Sequence, residues 1–249
     1  MDGVLRCSRY AFGPNRLHFC GPDANRELWD YLRAGVTDAG LEKLLRGFET
    51  LYPYLRHIAR EHGIADPFDA HVVEAYWIGN ALLETVDRRA LHRHLSEVLR
   101  LKDKLPLRTY RLMEERIGHG MLPGHTFHVL TVPKRMGHQE MEATPAFMDA
   151  CRVSWGTVTT VSGPHLTLIH EPLTYTNDTL ALGTPVEKRV VRRLEADYDM
   201  DLLAPGDLVT LHWDVPCEVV TRAQVERLRR YTLRAIAIAN ERHSWYTSG

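Results

Sequence analysis

The side chains best able to hold a metal or act as nucleophiles in this 249-residue chain are its four cysteines and fourteen histidines. Cys7, His18 and Cys20 fall in the opening "CSRYAFGPNRLHFCGP", where the glycines and prolines of "AFGPNRLHFCGP" predict an ordered loop, not a helix. Thiolate and imidazole are metal ligands by type, but the gap between these two cysteines fits no standard zinc spacing. A fourth ligand has to come from elsewhere, with His119, His125 and His128 of "HGMLPGHTFH" as candidates. Arg9, Asn15 and Arg16 suit either a small anion or hydrogen bonds that hold the loop in place. Cys151 stands alone where a polar, methionine-dotted linker gives way to a β-rich stretch. Its type allows a ligand or a small buried hydrophobe. Cys217 reads as packing. The chain has no Walker loop, no pair of CxxC motifs, no HExxH and no GxSxG, so no motif indicates catalysis.

The elements that must position these residues fall into two regimes. From residue 25 to about 118 the apolar spacing is helical. "LEKLLRGFETLYPYLRHIAREHG" places Leu41, Leu44, Leu45, Phe48, Leu51, Leu55 and Ile58 three and four apart, with Pro53 kinking the helix or dividing it in two. "DPFDAHVVEAYWIGNALLETV" opens on Asp66 as a cap with Pro67 in the first turn. Beyond Gly118 the period changes. Gly137 and Pro145 mark a connector and a domain boundary near 140–146. Short alternating segments then follow between Gly, Pro and Asn-Asp turns, which predicts a small barrel or sandwich. A last helix runs from a cap at Thr221. The expected architecture is α+β: a helical domain over 1–145, then a β-domain with its closing helix over 146–249, the second folding on its own pattern of apolar alternation.

Bulk properties exclude some classes. Apolar residues make up 44% of the chain, and 31 basic against 32 acidic residues leave no net charge to favour nucleic acid or acidic membranes. No apolar run approaches the roughly 18–20 residues of a membrane span, and the N-terminus lacks a secretory pattern. The expectation is a cytoplasmic protein whose cysteines are thiols.

The segment from about 148 to 235 resembles the HypC/HupF family of NiFe-hydrogenase assembly chaperones. Cys151, Gly156 and Val158 match its opening cysteine, glycine and first strand. Gly206, Asp207, Val209 and His212 match its Gly-Asp pair and the strand ending in His, and the helix from Thr221 matches its C-terminal helix. The resemblance implies a small HypC-like, OB-like β-barrel. It also implies that Cys151 carries an Fe(CN)2CO fragment with His212 beside it, and that the partners are a HypD-like maturase and the hydrogenase large subunit. Thiolate suits low-spin iron, and imidazole can ligate or orient a bound cyanide. The sequence departs from the family in three places: Cys151 has no free amino group, Trp155 replaces a proline, and "WDVPCEV" replaces small apolar residues. The opening "CSRYAFGPNRLHFCGPD" resembles an uncharacterised family associated with hydrogenase gene clusters.

Two functions are therefore expected to compete. One is a non-enzymatic maturation chaperone that holds or passes iron, or escorts the large subunit. The other is a metal-independent binding module, or an enzyme, with its site in the Cys7–Cys20 loop. Packing is the plain alternative for Cys151, as is a backbone hydrogen bond for His212.

Overall fold

The computed structural model describes residues 2–132, 144–192 and 202–241. The helices of the first half are α1 (Gly3–Asn15), α2 (Asn25–Ala34), α3 (Ala39–Arg46), α4 (Leu51–Glu61), α5 (Ala70–Trp77), α6 (Ala81–Glu84), α7 (Arg88–Arg93), α8 (Leu101–Lys104), α9 (Leu107–Gly118) and α10 (His125–Thr131). A π-helical turn, His94–Val98, follows α7. The second half runs α11 (Pro145–Cys151), β1 (Ser154–Ser162), β2 (His165–His170), β3 (Leu173–Thr176), β4 (Thr179–Leu182), β5 (Val186–Val191), β6 (Leu208–His212), β7 (Val215–Val219) and α12 (Arg222–Asn240). The fold is α+β, as the two regimes predict. The connector 133–143 lies outside the described residues.

Local chemistry explains most boundaries, including those that differ from expectation. The long apolar stretch from Leu41 divides at Gly47, and Pro53 sits in the first turn of α4, where its missing N–H costs nothing. The cap of α5 is Asp69, which accepts from the His71 N–H; Asp66 accepts from Phe68 N–H in the turn before it. Gly79, at φ +96°, ends that helix, and Asn80 caps α6. Thr221 and Gln224 form a capping box at the start of α12.

The Gly/Pro-rich opening is a helix as far as Asn15. α1 is buried on nearly every side, so it lacks the polar face that periodicity needs to reveal a helix. Gly13 is small because β6 crosses there: a Cβ would stand 2.4 Å from the His212 carbonyl oxygen. Polar residues anchor the helix. Arg6 donates to Glu218 on β7 at 2.8 Å and to Glu74 on α5 at 3.1 Å, and the Tyr10 hydroxyl donates to Glu218 at 2.6 Å.

The sheet is antiparallel, in the order β5-β2-β1-β6-β7, with β3 and β4 as a separate hairpin. Asn177-Asp178 and Trp213-Asp214 turn the two hairpins β3-β4 and β6-β7, all four residues at positive φ. The expected closed barrel does not form: β5 and β7 share no ladder among the described residues. Val158, Leu166, Leu168, Val190, Leu203, Val209 and Leu211 make a small core of the sheet's own. The main core ignores the division at 145. It is one buried cluster that joins α1, α4, α5 and α10 to Cys151, Val153, Trp155, Val215, Cys217 and the inner face of α12.

Candidate metal centre

Cys151 is the last residue of α11, three positions before β1, and not the start of the strand. α11 is fixed by Thr144, which caps it at Phe147 N–H, and by the residues around its end. Asp149 pairs with the wholly buried Arg152 at 2.8 Å and accepts from Leu173 N–H. Arg152 in turn donates to the Glu171 carbonyl. Burial works against the charge of Asp149, but His170, Arg152 and the Leu173 amide together hold its carboxyl down at about 2. The backbone N–H of Trp213 donates to the Ala150 carbonyl at 2.8 Å, tying the β6-β7 turn to α11 one residue from the thiol.

His212 ends β6, the position the resemblance implies, and lies beside Cys151 although the two are far apart in sequence. A proline on α1 governs its orientation through one hydrogen bond. Pro14 has no N–H to give the Tyr10 carbonyl four residues before it, and His212 Nδ1–H donates to that carbonyl at 2.6 Å. The proton is thereby placed on Nδ1, and Nε2, buried and without a hydrogen bond among the described residues, keeps its lone pair.

His125, the first residue of α10, completes the group. Its Nε2–H donates to the Cys151 carbonyl at 2.7 Å, and its Nδ1 accepts from the Tyr76 hydroxyl at 3.3 Å. One ligand atom from each of His125, Cys151 and His212 lies within 4.8 Å of the others, and all three residues are buried. Tetrahedral metal sites with such ligands need donors about 3.3–3.8 Å apart, so the group has to close by about 1 Å and the Tyr76 hydroxyl has to release His125 Nδ1. Among the described residues no other group of three His, Cys, Asp or Glu converges in this way.

The three residues line a cavity of about 80 Å³ together with His128, Cys20, Tyr76 and Trp77. Since roughly 10–15 Å³ admits one water, several diatomic ligands or waters fit. Phe19, Phe147 and Trp213 pack on one another at its edge, with ring centres 4.4 to 5.7 Å apart, and the exposed Glu49 marks its outer end. Burial lowers the His212 imidazole to about 4, opposed by the carbonyls of Tyr10 and Cys151, and also lowers His125, with the neighbouring His212 adding to the effect. Burial pushes the Cys151 thiol up, the nearby Cys20 adds to the shift, and the Trp213 indole partly opposes it. Before a metal binds, the site is therefore two neutral imidazoles and a thiol; a cation has to displace one proton to gain a thiolate.

The second expected cluster, Cys7, His18 and Cys20, does not assemble. Helix α1 carries Cys7 into the core beside Trp77, about 12 Å of helical rise before Asn15. His18 is exposed and pairs with Asp23 at 3.1 Å. Asn15 holds the intervening loop by donating to the Cys20 and Pro22 carbonyls. Of these three only Cys20 lines the cavity. His119, a candidate fourth ligand by sequence, pairs with Glu241 at the surface. His125 is visible in the sequence only as a member of a His-containing segment; nothing in its spacing ties it to Cys151, because α10 is uniformly buried and shows no polar face.

The chain belongs to a family of unknown function (DUF6390), whose model matches residues 1–245 and so covers both halves. No curated protein and no solved structure matches it.

Proposed function

We propose that this protein is an accessory factor of NiFe-hydrogenase maturation that carries iron as an Fe(CN)2CO fragment on Cys151, His212 and His125. The observation that carries the reading is the convergence of Cys151 and His212 in a buried, ligand-sized cavity. The resemblance to the HypC/HupF family pairs these two residues; that family lends the argument its cargo and its partners, a HypD-like maturase and the hydrogenase large subunit. On this reading the five-stranded sheet is an opened relative of the HypC-like barrel.

His125 answers the main departure from the family. A cysteine inside the chain offers no terminal amine, and the His125 ring brings a nitrogen donor to the same place from the helical half. The helical half thereby supplies one ligand and the walls that keep bulk water from the thiolate. The protein's own residues bind the cargo through Sγ and two ring nitrogens, orient it by the backbone bonds of both imidazoles, and release the thiol proton on loading.

The test is the protein purified anaerobically with and without co-expressed maturation factors. Infrared bands of iron-bound CO and cyanide are expected in the co-expressed wild type and absent in Cys151→Ser, whose hydroxyl matches the thiol in size but is a poor ligand for soft iron. Co-expressed wild-type protein without those bands, or the same bands in Cys151→Ser, overturns the proposal. Affinity capture from a hydrogen-metabolising host is expected to recover the large subunit or the maturase.

A further inference from the structure

A second concavity lies between α4, the segment after it, α7 and the π-helical turn. It encloses about 720 Å³, within the roughly 300–1,000 Å³ usual for small-molecule sites. Pro53, Ile64, Pro67 and Val98 give it apolar walls. Its buried polar groups are His57 and His94, 8% and 4% exposed, with rings stacked 4.6 Å apart and 9° from parallel. The π-helical turn begins at His94; such turns break the regular helical register and recur at functional sites.

Both imidazoles have an Nε2 that is sealed from water and has no hydrogen-bond partner among the described residues. The carboxylate of Glu61 stands 4.0 Å from His57 Nδ1, outside hydrogen-bonding range, so it does not fix the proton on that nitrogen. Burial and the nearby Arg60 and Arg93 lower His57 to about 4, and burial and the neighbouring His57 and His128 lower His94 to about 3, so at neutral pH each ring is uncharged with one N–H to place. Around them Arg56, Arg60 and Arg93 line the cleft with exposed side chains, against one lining carboxylate among the described residues, Glu97, and the neighbouring Glu61, which stands 3.9 Å from Arg60. The lining thus combines an excess of guanidinium groups, two uncharged imidazole rings and an apolar wall.

We propose that this cleft binds a small organic oxyanion, whose phosphate or carboxylate oxygens accept from the arginines and from a ring N–H of His57 and His94, while its apolar part packs on Pro53, Ile64 and Val98. Guanidinium forks match the planar or tetrahedral oxygens of both anion types. The inference is independent of the metal centre.

The full chain, labelled with ¹⁵N at histidine, is titrated with inorganic pyrophosphate and with citrate. Saturable shifts at His57 and His94 in the millimolar range or below are expected, with His125 and His212 unmoved. Arg93→Ala, a change at an exposed position, is expected to weaken binding about tenfold, the loss of one charge-assisted contact. Response to pyrophosphate alone identifies a phosphorylated ligand, and response to citrate alone a carboxylate. Neither probe moving the two histidines, or equal affinity in wild type and Arg93→Ala, overturns the assignment.

Discussion

At the scale of single residues, the unusual feature is a proline acting through a carbonyl. Pro14 leaves the Tyr10 carbonyl without its helical donor, and His212 takes it, which sets the tautomer that a ligand needs. In Pro14→Ala the restored N–H competes for that carbonyl. Metal affinity, measured by competition with a chelator, is expected to fall about 10–100-fold, the usual effect of losing a ligand's orienting bond, while the thermal midpoint does not fall to match. The thiol supplies a second prediction. Burial lowers His212 to about 4 and also lowers His125, whereas Cys151 is raised above the ordinary thiol. Around neutral pH loading therefore releases one proton, from Cys151, and apparent affinity for a divalent probe should rise about tenfold per pH unit. A flat profile means that the thiol is not a ligand.

At the scale of elements, the site depends on how α1 and α11 are held. Arg6, Glu218 and Tyr10 are buried together, with the half-buried Glu74 beside them, and removing Arg6 strands the Glu218 charge. Arg6→Ala should cost about 3–5 kcal/mol in chemical denaturation. Asp149 sets an acid limit. Its folded carboxyl sits at about 2, against about 3.9 unfolded, so it contributes about 2.5 kcal/mol that is fully present above about pH 5 and is lost as pH falls through 2. Asp149→Asn should remove that stretch of the acid profile and lower stability at neutral pH by a similar amount. These contacts also show what the sequence made legible. Thr221 and the Asn-Asp turn each rest on neighbouring residues, so each could be read locally; the Leu41–Ile58 stretch does divide, but at Gly47 and not at Pro53, which lies in the first turn of α4. The helix at Ala11–Asn15 could not, because Gly13 and Pro14 mark turns everywhere except where a strand presses on the helix and a histidine replaces the missing donor. Cys151 and His212 emerged through resemblance. His125 did not, since its place is decided by packing that joins distant segments.

At the scale of the whole molecule, composition changes near residue 145 but the hydrophobic core does not divide there. Alternating strands announce a second domain only if their inner faces are covered by their own partners, and here the small core of the sheet accounts for only part of that surface. Val153, Trp155, Val215, Cys217 and the α12 residues Leu228, Tyr231 and Ala235 are buried in a cluster shared with α1, α5 and α10. Arg227 adds an ion pair to Glu74 at 2.7 Å, and Tyr231 donates to the Asn80 carbonyl. A separated second half would expose that apolar face together with Glu218, stripped of Arg6 and Tyr10. An apolar face without its cover drives association, and a buried carboxylate without its cation opposes the native packing. Residues 146–249 expressed alone should therefore be aggregated or lack cooperative unfolding, contrary to the autonomy their alternation predicts. Co-expression with residues 1–145 should restore a soluble complex that binds metal, because His125 comes from one piece and Cys151 and His212 from the other. A monomeric, cooperatively folding 146–249 fragment would show that the shared core is an interface between two finished domains.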